Sequence, residues 1–330
     1  MRDWLILNRR KFLGRGAATA VAVLSPRRGF AQTAYPDRVV RLIVPRPAGG
    51  VVDVIAREWG NTVGKTFGAT YVENMGGGGG IIGAAFAARA PADGYTLLVG
   101  ASGAMSIAAA IYPDLKYNPT KTLVPLAMIA SFPLIAVIGT DNPSNNVKEL
   151  VEWAKAHPDK ANYPSTSPAF TIATEQLKLK TGMPGVMIPY KSSNEMILSV
   201  MEGQTMIAIA DGPPTVPQVK AGKVKALAVT GSQRSAELPD TPSMAEAGYP
   251  GVDVHLWSGI FAPIATPAPI VAKLEKSLSD AIRDPGVSEK LKAMAADPGG
   301  GPPADFKKMI EADIVKYSAV IKAANLHFEE

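Results

Sequence analysis

The loop Arg46–Gly50, which reads Arg-Pro-Ala-Gly-Gly, carries residue types that can bind an anion. A glycine pair lets the backbone turn sharply and come close to a ligand. The helical pattern that follows opens within a few residues, and the first N–H groups of a helix lie unpaired at its positive end. The loop therefore predicts an anion site, although the same pattern also fits an ordinary strand-to-helix turn.

Five consecutive glycines, Gly76–Gly80, form the second unusual stretch. Ordering five glycines costs much backbone entropy, so we expect the backbone to pack closely against another segment there. The Lys-Ser/Thr pair of a phosphate-binding loop is absent, because Ile81, Ile82 and Gly83 follow. A glycine run also matches dinucleotide-binding patterns trivially, so no nucleotide cofactor is predicted.

Catalytic and metal-binding patterns are missing from the sequence. The histidines His157, His255 and His327 are scattered, with no His-Glu-x-x-His pair and no Gly-x-Ser-x-Gly turn, and none can be assigned as a base to Ser102. The chain has no cysteine, which excludes disulfides, thiolate metal sites, a thiol nucleophile and a lipid-modified N-terminal cysteine. We therefore expect no cofactor, no metal and no enzyme activity; an exported hydrolase is the least favoured alternative.

Short apolar runs alternate with helical patterns from residue 41 to residue 230. The runs at 41–44, 95–99, 134–138 and 225–230 have the β-branched, aliphatic character of strands buried on both faces. This βα alternation predicts an α/β fold with mostly parallel, doubly wound sheets. Two further helices, at 270–283 and 306–323, are expected to pack back onto the first sheet.

The formal charge of +5 is concentrated at the N-terminus, where residues 1–31 carry seven basic side chains against one acidic. The remaining 27 basic and 28 acidic side chains leave no basic field, so nucleic acid is not an expected partner. Asn8–Leu13 resembles a twin-arginine export pattern, followed by a nine-residue apolar core and small residues near Ala31. We predict a cleaved export signal over 1–31; an ordinary secretory signal is the alternative.

Many short motifs in a fixed order then resemble one family, the Bug receptors of tripartite tricarboxylate transport systems. They include Tyr35-Pro-Asp-Arg38, Gly49-Gly50-x-x-Asp53, Asp93-Gly-Tyr-Thr-Leu-Leu98, Pro189-Tyr-Lys191 and Leu238-Pro-Asp-x-Pro242. Each motif is weak by itself, but together they cover roughly residues 35–325.

This resemblance implies a two-lobed periplasmic-binding-protein fold, a type II-like Venus flytrap in which each lobe is a doubly wound sheet flanked by helices. The first lobe would comprise 32–133 and 258–330 and the second 134–257, with the chain crossing near Phe132–Val137 and His255–Phe261. Carried over onto this sequence, the expected ligand contacts are Arg46, Ala48, Gly49, Gly50, Asp53 and Ser102 in the first lobe, and Ser165, Thr166, Ser167, Phe170, Thr171, Tyr190, Lys191 and Asp211 in the second.

Three departures from the family pattern predict that the ligand selectivity of this site differs from the family's usual one. Position 46 is usually aromatic, whereas Arg46 could add a bidentate carboxylate contact. The second-lobe loop has Ser167–Phe170 in place of glycines, and Phe170 could pack on an apolar ligand body. After Lys191 the family usually continues Gly-x-Pro-Ala, whereas this chain has Ser192 and then Asn194-Glu195.

Several of these residues have simpler alternative roles. Arg46 and Lys191 could be surface charges, Asp53 could bond nearby backbone N–H groups, and Ser165 and Thr166 could cap a helix. Asp211 could pair with an ammonium group of the ligand, but the Gly-Pro-Pro sequence after it favours a role in organising that turn.

The resemblance implies a periplasmic solute-binding protein that closes on a small carboxylate and delivers it to inner-membrane permease subunits. The departures favour a dicarboxylate or an aromatic carboxylate. We expect an exported monomer with no lipid anchor and no membrane-spanning segment. A carboxylate-binding module that serves a sensor kinase is the main alternative.

Overall fold

Two lobes, each with its own strands and helices, make up the described part of the chain, which comprises residues 35–65 and 67–328 of this computed structural model. The predicted export signal, residues 1–31, lies outside the described residues.

The first lobe opens with alternating strands and helices, as the apolar periodicity predicts. These elements are β1 Val40–Val44, α1 Val51–Gly64, β2 Thr70–Asn74, α2 Ile81–Ala88, β3 Thr96–Ala101, the short α3 Ala108–Ile111 and β4 Leu123–Pro133. β1 pairs in parallel with both β2 and β3. A π-helical turn, Gly103–Ile107, precedes α3.

The second lobe follows after a single connecting residue, Leu134. Its elements are β5 Ile135–Gly139, α4 Val147–Ala156, β6 Asn162–Ser165, α5 Pro168–Thr181, β7 Val186–Pro189, α6 Ser193–Met201, β8 Ile207–Ala210, α7 Gly212–Lys220 and β9 Val224–Val229. β5 lies between β8 and β9, and β6 pairs in parallel with β7.

The chain then returns to the first lobe. The remaining elements are β10 His255–Pro263, α8 Ala268–Ile282, α9 Pro285–Ala293, the two-residue strand β11 Asp297–Pro298 and α10 Pro303–Ala323. The first sheet has the order β11-β4-β10-β3-β1-β2. Buried apolar side chains cover both of its faces, so it is doubly wound as expected.

The strands that arrive from the opposite lobe run against their neighbours. β10 enters the first sheet antiparallel to β3 and β4, and β5 enters the second antiparallel to β8 and β9. The expectation of mostly parallel sheets therefore fails at these strands, because a crossing strand reaches its sheet from the other side. The crossings lie at Pro133–Ile135 and next to His255.

The C-terminal helix α10 contributes to the apolar cores of both lobes. Phe306 and Ile310, in its first half, pack in the first-lobe cluster that contains Trp257. Tyr317, in its second half, is fully buried in the second-lobe cluster. The helix therefore packs on the first sheet, as the sequence predicts, and on the second lobe as well.

Within the described ranges, no helix combines the length and the apolar character that crossing a bilayer would require.

Candidate ligand-binding cleft

A cleft of about 1300 Å³ lies between the two lobes. Its walls come from the loops at the strand ends of both lobes, and its floor includes the crossing strands at Phe132 and at Leu256–Ser258. Ligand sites are commonly concave regions of ~300–1,000 Å³, so this cleft is large enough for a small organic molecule with room to spare.

Nine of the fourteen predicted site residues line this cleft. They are Arg46, Ala48, Gly49, Gly50, Ser102, Thr166, Ser167, Phe170 and Asp211. The other five, Asp53, Ser165, Thr171, Tyr190 and Lys191, lie outside its lining.

Asp53 holds the first-lobe loop in place from behind. The residue is 2% exposed, and its carboxylate accepts hydrogen bonds from the Gly49 N–H (2.9 Å) and the Asn74 amide (2.8 Å). The Arg57 guanidinium adds two more, both 3.0 Å. These Arg57 bonds, with those from Gly49 and Asn74, lower the pKa of Asp53 to about 2. Asp53 thus has the backbone-binding role that was one of its two predicted alternatives.

Asn74 completes this arrangement from the end of β2. Its amide also donates to the Arg46 carbonyl oxygen (3.1 Å), and its own carbonyl accepts from Arg57 (3.0 Å). We call Asp53, Arg57 and Asn74 the loop lock. Since Asn74 is separated from the loop by more than twenty residues, nothing in the local sequence indicates this contact.

The guanidinium of Arg46 has no ion-pair or hydrogen-bond partner among the described residues. It lies over the start of the π-helical turn, where a Cβ added to Gly103 would be 3.1 Å from Nη2. Burial lowers the pKa of Arg46, which reflects the cost of holding a cation partly away from water. An arginine still stays charged at neutral pH, so Arg46 presents an uncompensated positive charge to the cleft.

The glycine run packs against this loop, as its composition predicts. Gly77, Gly78, Gly79 and Gly80 all have positive φ angles. A Cβ on Gly80 would lie 3.1 Å from the Pro45 carbonyl oxygen. Gly78 and Gly79 line the cleft, so the backbone there is open to a ligand.

The hydroxyl groups of Ser165 and Thr171 bond to each other behind the second-lobe wall. Their oxygens are 2.8 Å apart, and Ser165 also donates to the Ser167 carbonyl (3.0 Å). α5 begins at Pro168 with Ser167 as its N-cap, without a side-chain capping bond. The predicted capping by Ser165 or Thr166 is therefore wrong, because the helix starts later and Ser165 belongs to β6.

Asp211 stands at the N-cap of α7 but makes no side-chain capping bond. Its Oδ1 is buried and has no hydrogen-bond partner within the described chain. Burial raises the pKa of Asp211, and the nearby Ser193 hydroxyl opposes this shift. The favoured prediction, that Asp211 organises its turn, finds no support in its side-chain bonds.

Tyr190 and Lys191 belong to the turn between β7 and α6. The Tyr190 N–H donates to the Ser165 carbonyl (2.8 Å), and the Lys191 N–H donates to Glu195 Oε2 (3.1 Å). The Lys191 side chain is exposed. The Tyr190 bond extends the pairing of β6 with β7 and the Lys191 bond holds the turn to α6; both residues lie outside the cleft lining.

Several residues that line the cleft are not among the fourteen site residues predicted from the sequence. Ile107, Ile111 and Leu115 form an apolar wall. The four-residue spacing of Ile107 and Ile111 is a helical signal that could have revealed these two, whereas Leu115 lies in the loop after α3. Ser258, on β10, is 1% exposed, and its hydroxyl has no partner in the described chain. Trp257 beside it donates its indole N–H to Asp313 on α10 (3.3 Å).

The described residues contain no group of three His, Cys, Asp or Glu side chains that could hold a metal ion. Among the described residues, the cleft offers the half-buried Arg46 guanidinium beside the N-terminus of α1, a largely apolar body and one carboxyl group in the opposite wall. This arrangement can bind an anionic group together with an apolar one.

Known proteins resemble the chain over nearly its whole length. Residues 55–326 match the family described as "Tripartite tricarboxylate transporter family receptor". The Bordetella pertussis protein BugT is 31% identical over 292 residues, which is 87% of this chain and 90% of that protein. The chain belongs to this family of receptors.

Solved structures of relatives agree in fold. An R. palustris protein solved with adipate has a TM-score of 0.74 at 31% identity, covering 88% of this chain and 98% of that one. MatC from Rhodopseudomonas palustris, with bound malate, has a TM-score of 0.71 at 30% identity, covering 87% and 100%. The predicted Bug-type membership and the two-lobed periplasmic-binding-protein fold are confirmed, and the family is one of solute-binding receptors, not enzymes.

Proposed function

We propose that this chain is an exported receptor that captures a small carboxylate between its lobes and delivers it to an inner-membrane transporter. The observation that carries the proposal is Arg46, a half-buried guanidinium in the cleft with no anionic partner among the described residues. A carboxylate is the group that an arginine fork binds best, through two parallel hydrogen bonds. The N-terminal N–H groups of α1 lie in the same wall and favour an anion.

The favoured ligands are a dicarboxylate with an apolar chain or an aromatic carboxylate. Ile107, Ile111 and Leu115 form an apolar surface in one wall, and Phe170 lies in the other. Relatives solved with adipate and with malate support a dicarboxylate. The apolar surface supports a ligand that has several carbon atoms between or beside its polar groups.

Binding by itself is the mechanism, because the receptor needs no chemical step. Micromolar affinity requires about 8 kcal/mol, which one carboxylate on several donors and a few packed side chains can supply. A ligand that contacts both walls stabilises the closed form, since it binds that form better than the open one.

The periplasm is the proposed location and the permease subunits of a tripartite transporter are the proposed partners. The family description and the twin-arginine pattern at residues 8–13 support both statements. We propose that the receptor acts as a monomer. A deletion strain that loses uptake of one carboxylate, and regains it only when receptor and permease subunits are both present, would support delivery over a sensor role.

A thermal-shift screen of the full chain against carboxylic acids, sugars and amines tests the ligand class. A specific ligand raises the stability by RT ln(1 + [L]/Kd), so a carboxylate at 100 times its Kd adds about 2.7 kcal/mol. We expect one or a few carboxylates to raise the melting temperature by several degrees. If only sugars or amines do so, the proposed function is wrong.

A further inference from the structure

Asp211 is placed where a side chain would normally cap a helix, yet its carboxyl group does not cap. Its backbone carbonyl accepts the Thr215 hydroxyl (2.7 Å), but neither carboxylate oxygen bonds to the N-terminal N–H groups of α7. A carboxylate at an N-cap usually makes such a bond and gains stability from it. The carboxylate of Asp211 therefore does not serve as the cap of α7.

One oxygen of this carboxylate is left without a partner. Oδ1 is buried and has no donor within the described chain, although Asp211 lines the cleft. An unsatisfied buried polar group destabilises the fold, so native proteins rarely keep one without a use. Rotation about χ2 is soft in an aspartate, so either oxygen can turn toward a donor that enters the cleft.

The charges that line the cleft are balanced. Arg46 and Lys116 bring two positive charges, and Asp114 and Asp211 bring two negative ones. Asp114 and Lys116 are exposed two positions apart on one first-lobe loop, where water screens their charges. Arg46 in the first wall and Asp211 in the second are the partly buried charges of the lining, and neither has an ion-pair partner among the described residues.

We propose that Asp211 selects, among carboxylates, those that also carry an ammonium group, so that the ligand class is an amino acid with an apolar or acidic side chain. This inference rests on the proposed function and narrows it. The ligand carboxylate binds Arg46, and the ligand ammonium group binds Asp211 across the cleft. A ligand with one carboxylate and one ammonium group places an opposite charge beside both Arg46 and Asp211. A dicarboxylate without nitrogen would instead place its second carboxylate beside the acidic side chain of Asp211.

A competing arrangement is a protonated Asp211 that donates to a second ligand carboxylate. Burial raises the pKa of Asp211, so this form is chemically accessible. The two arrangements differ in what an amide would do at position 211. An amide donates to a carboxylate as a protonated acid does, but it carries no charge to hold an ammonium group.

Matched ligand pairs test the proposal in the full chain by isothermal titration calorimetry. The pairs are aspartate with succinate, glutamate with glutarate, and phenylalanine with 3-phenylpropanoate, which differ only in the amino group. For at least one pair we expect the amino acid to bind about tenfold more tightly or better, since a charged hydrogen bond contributes ~1.5–3 kcal/mol. If each nitrogen-free acid binds as well as its partner, the proposal is overturned.

The second test repeats the titrations of the ligand pairs with the variant Asp211→Asn. We expect it to abolish the preference for the amino acid and to leave or improve binding of the nitrogen-free acid. Asp114→Asn is the matched control, because it removes the other acid of the lining; the preference should persist there. An unchanged preference in Asp211→Asn, or its loss in Asp114→Asn, would overturn the assignment.

An error in the proposed function and an error in the role of Asp211 would give different binding results. If the proposed function is wrong, neither member of any pair and no other carboxylate binds. If only Asp211 is wrongly assigned, carboxylates bind without preference for the amino group. The wild-type comparison needs no variant, so misfolding of a mutant cannot obscure it.

Discussion

The two walls of the cleft each hold one partly buried charged side chain that has no ion-pair partner among the described residues, Arg46 in the first and Asp211 in the second, but they support it in different ways. In the first wall the loop lock holds the loop backbone at two points, since Asp53 accepts the Gly49 N–H and the Asn74 amide donates to the Arg46 carbonyl oxygen. In the second wall the Ser165 and Thr171 hydroxyls satisfy each other, and Asp211 stands at a helix end that it does not cap. The first wall therefore holds its cation on a hydrogen-bonded loop, and the second presents an acid whose Oδ1 has no partner among the described residues.

The largest expected effect comes from removing the cation of the first wall. Arg46→Leu should weaken binding of the best carboxylate about 100-fold or more, because a charged, partly desolvated hydrogen-bonding group is lost. Titration calorimetry of the full chain measures this. Lys116→Leu removes the exposed cation of the same lining and should change the affinity less than about threefold, as expected of a solvated charge. A larger loss of affinity in Lys116→Leu than in Arg46→Leu would mean that the ligand carboxylate binds Lys116 at the rim of the cleft.

Breaking the loop lock should affect both stability and binding. Asp53→Ala leaves the Gly49 N–H and the Asn74 amide without their acceptor and should lower the free energy of unfolding by about 1–3 kcal/mol. The affinity should fall about tenfold, because the loop must then be ordered by the ligand. Urea unfolding and calorimetry give the two numbers, and the exposed Asp159→Ala is the control. Unchanged affinity in Asp53→Ala would show that the lock is not needed for binding.

The two acidic side chains should leave opposite signatures in the pH dependence of stability. The pKa of Asp53 is lowered from 3.8 to about 2, so its stabilising contribution is complete above about pH 4 and is lost as the pH falls toward 2. The pKa of Asp211 is raised, so its ionisation opposes folding, and this penalty grows as the pH rises above 3.8. Asp53→Asn should therefore be less stable than wild type at neutral pH, and Asp211→Asn more stable. Melting temperatures between pH 2 and pH 7 check both, and each difference should shrink in acid.

The smallest effect on binding is expected behind the second wall. Ser165→Ala should cost about 1 kcal/mol of stability through the lost hydroxyl pair, while the affinity stays within about twofold. Ser167→Ala, at a position that lines the cleft, is the companion variant for the same titration. A larger loss of affinity in Ser165→Ala than in Ser167→Ala would mean that Ser165 turns toward the ligand on closure.

Much of the fold is predictable from the sequence because apolar periodicity and turn residues are local signals. The β1 strand, the α1 helix and the close packing of the glycine run follow from them. β6 was not predicted, because its four residues include Pro164 and look like a loop. The antiparallel crossing strands were also missed, since direction depends on the lobe from which a strand arrives.

The site is predictable only in part, because hydrogen-bond partners are chosen by tertiary structure. Asp53 and Asp211 are both acids beside a helix start, yet one makes four bonds and the other leaves an oxygen unpaired. Asn74 and Ser258 carry no local signal, because each acquires its position through strands that pair across long stretches of the chain.

The helix α10 has a consequence for how the molecule unfolds. Its 21 residues extend over about 31 Å, with Phe306 in one apolar core and Tyr317 in the other. Lys316 adds contacts to Asp313 and to Asp253, which precedes the return crossing, each 3.0 Å. Loss of either core would strip one half of this helix of its packing, so neither lobe can melt without destabilising the other. Calorimetry should show one cooperative transition, despite the two separate sheets.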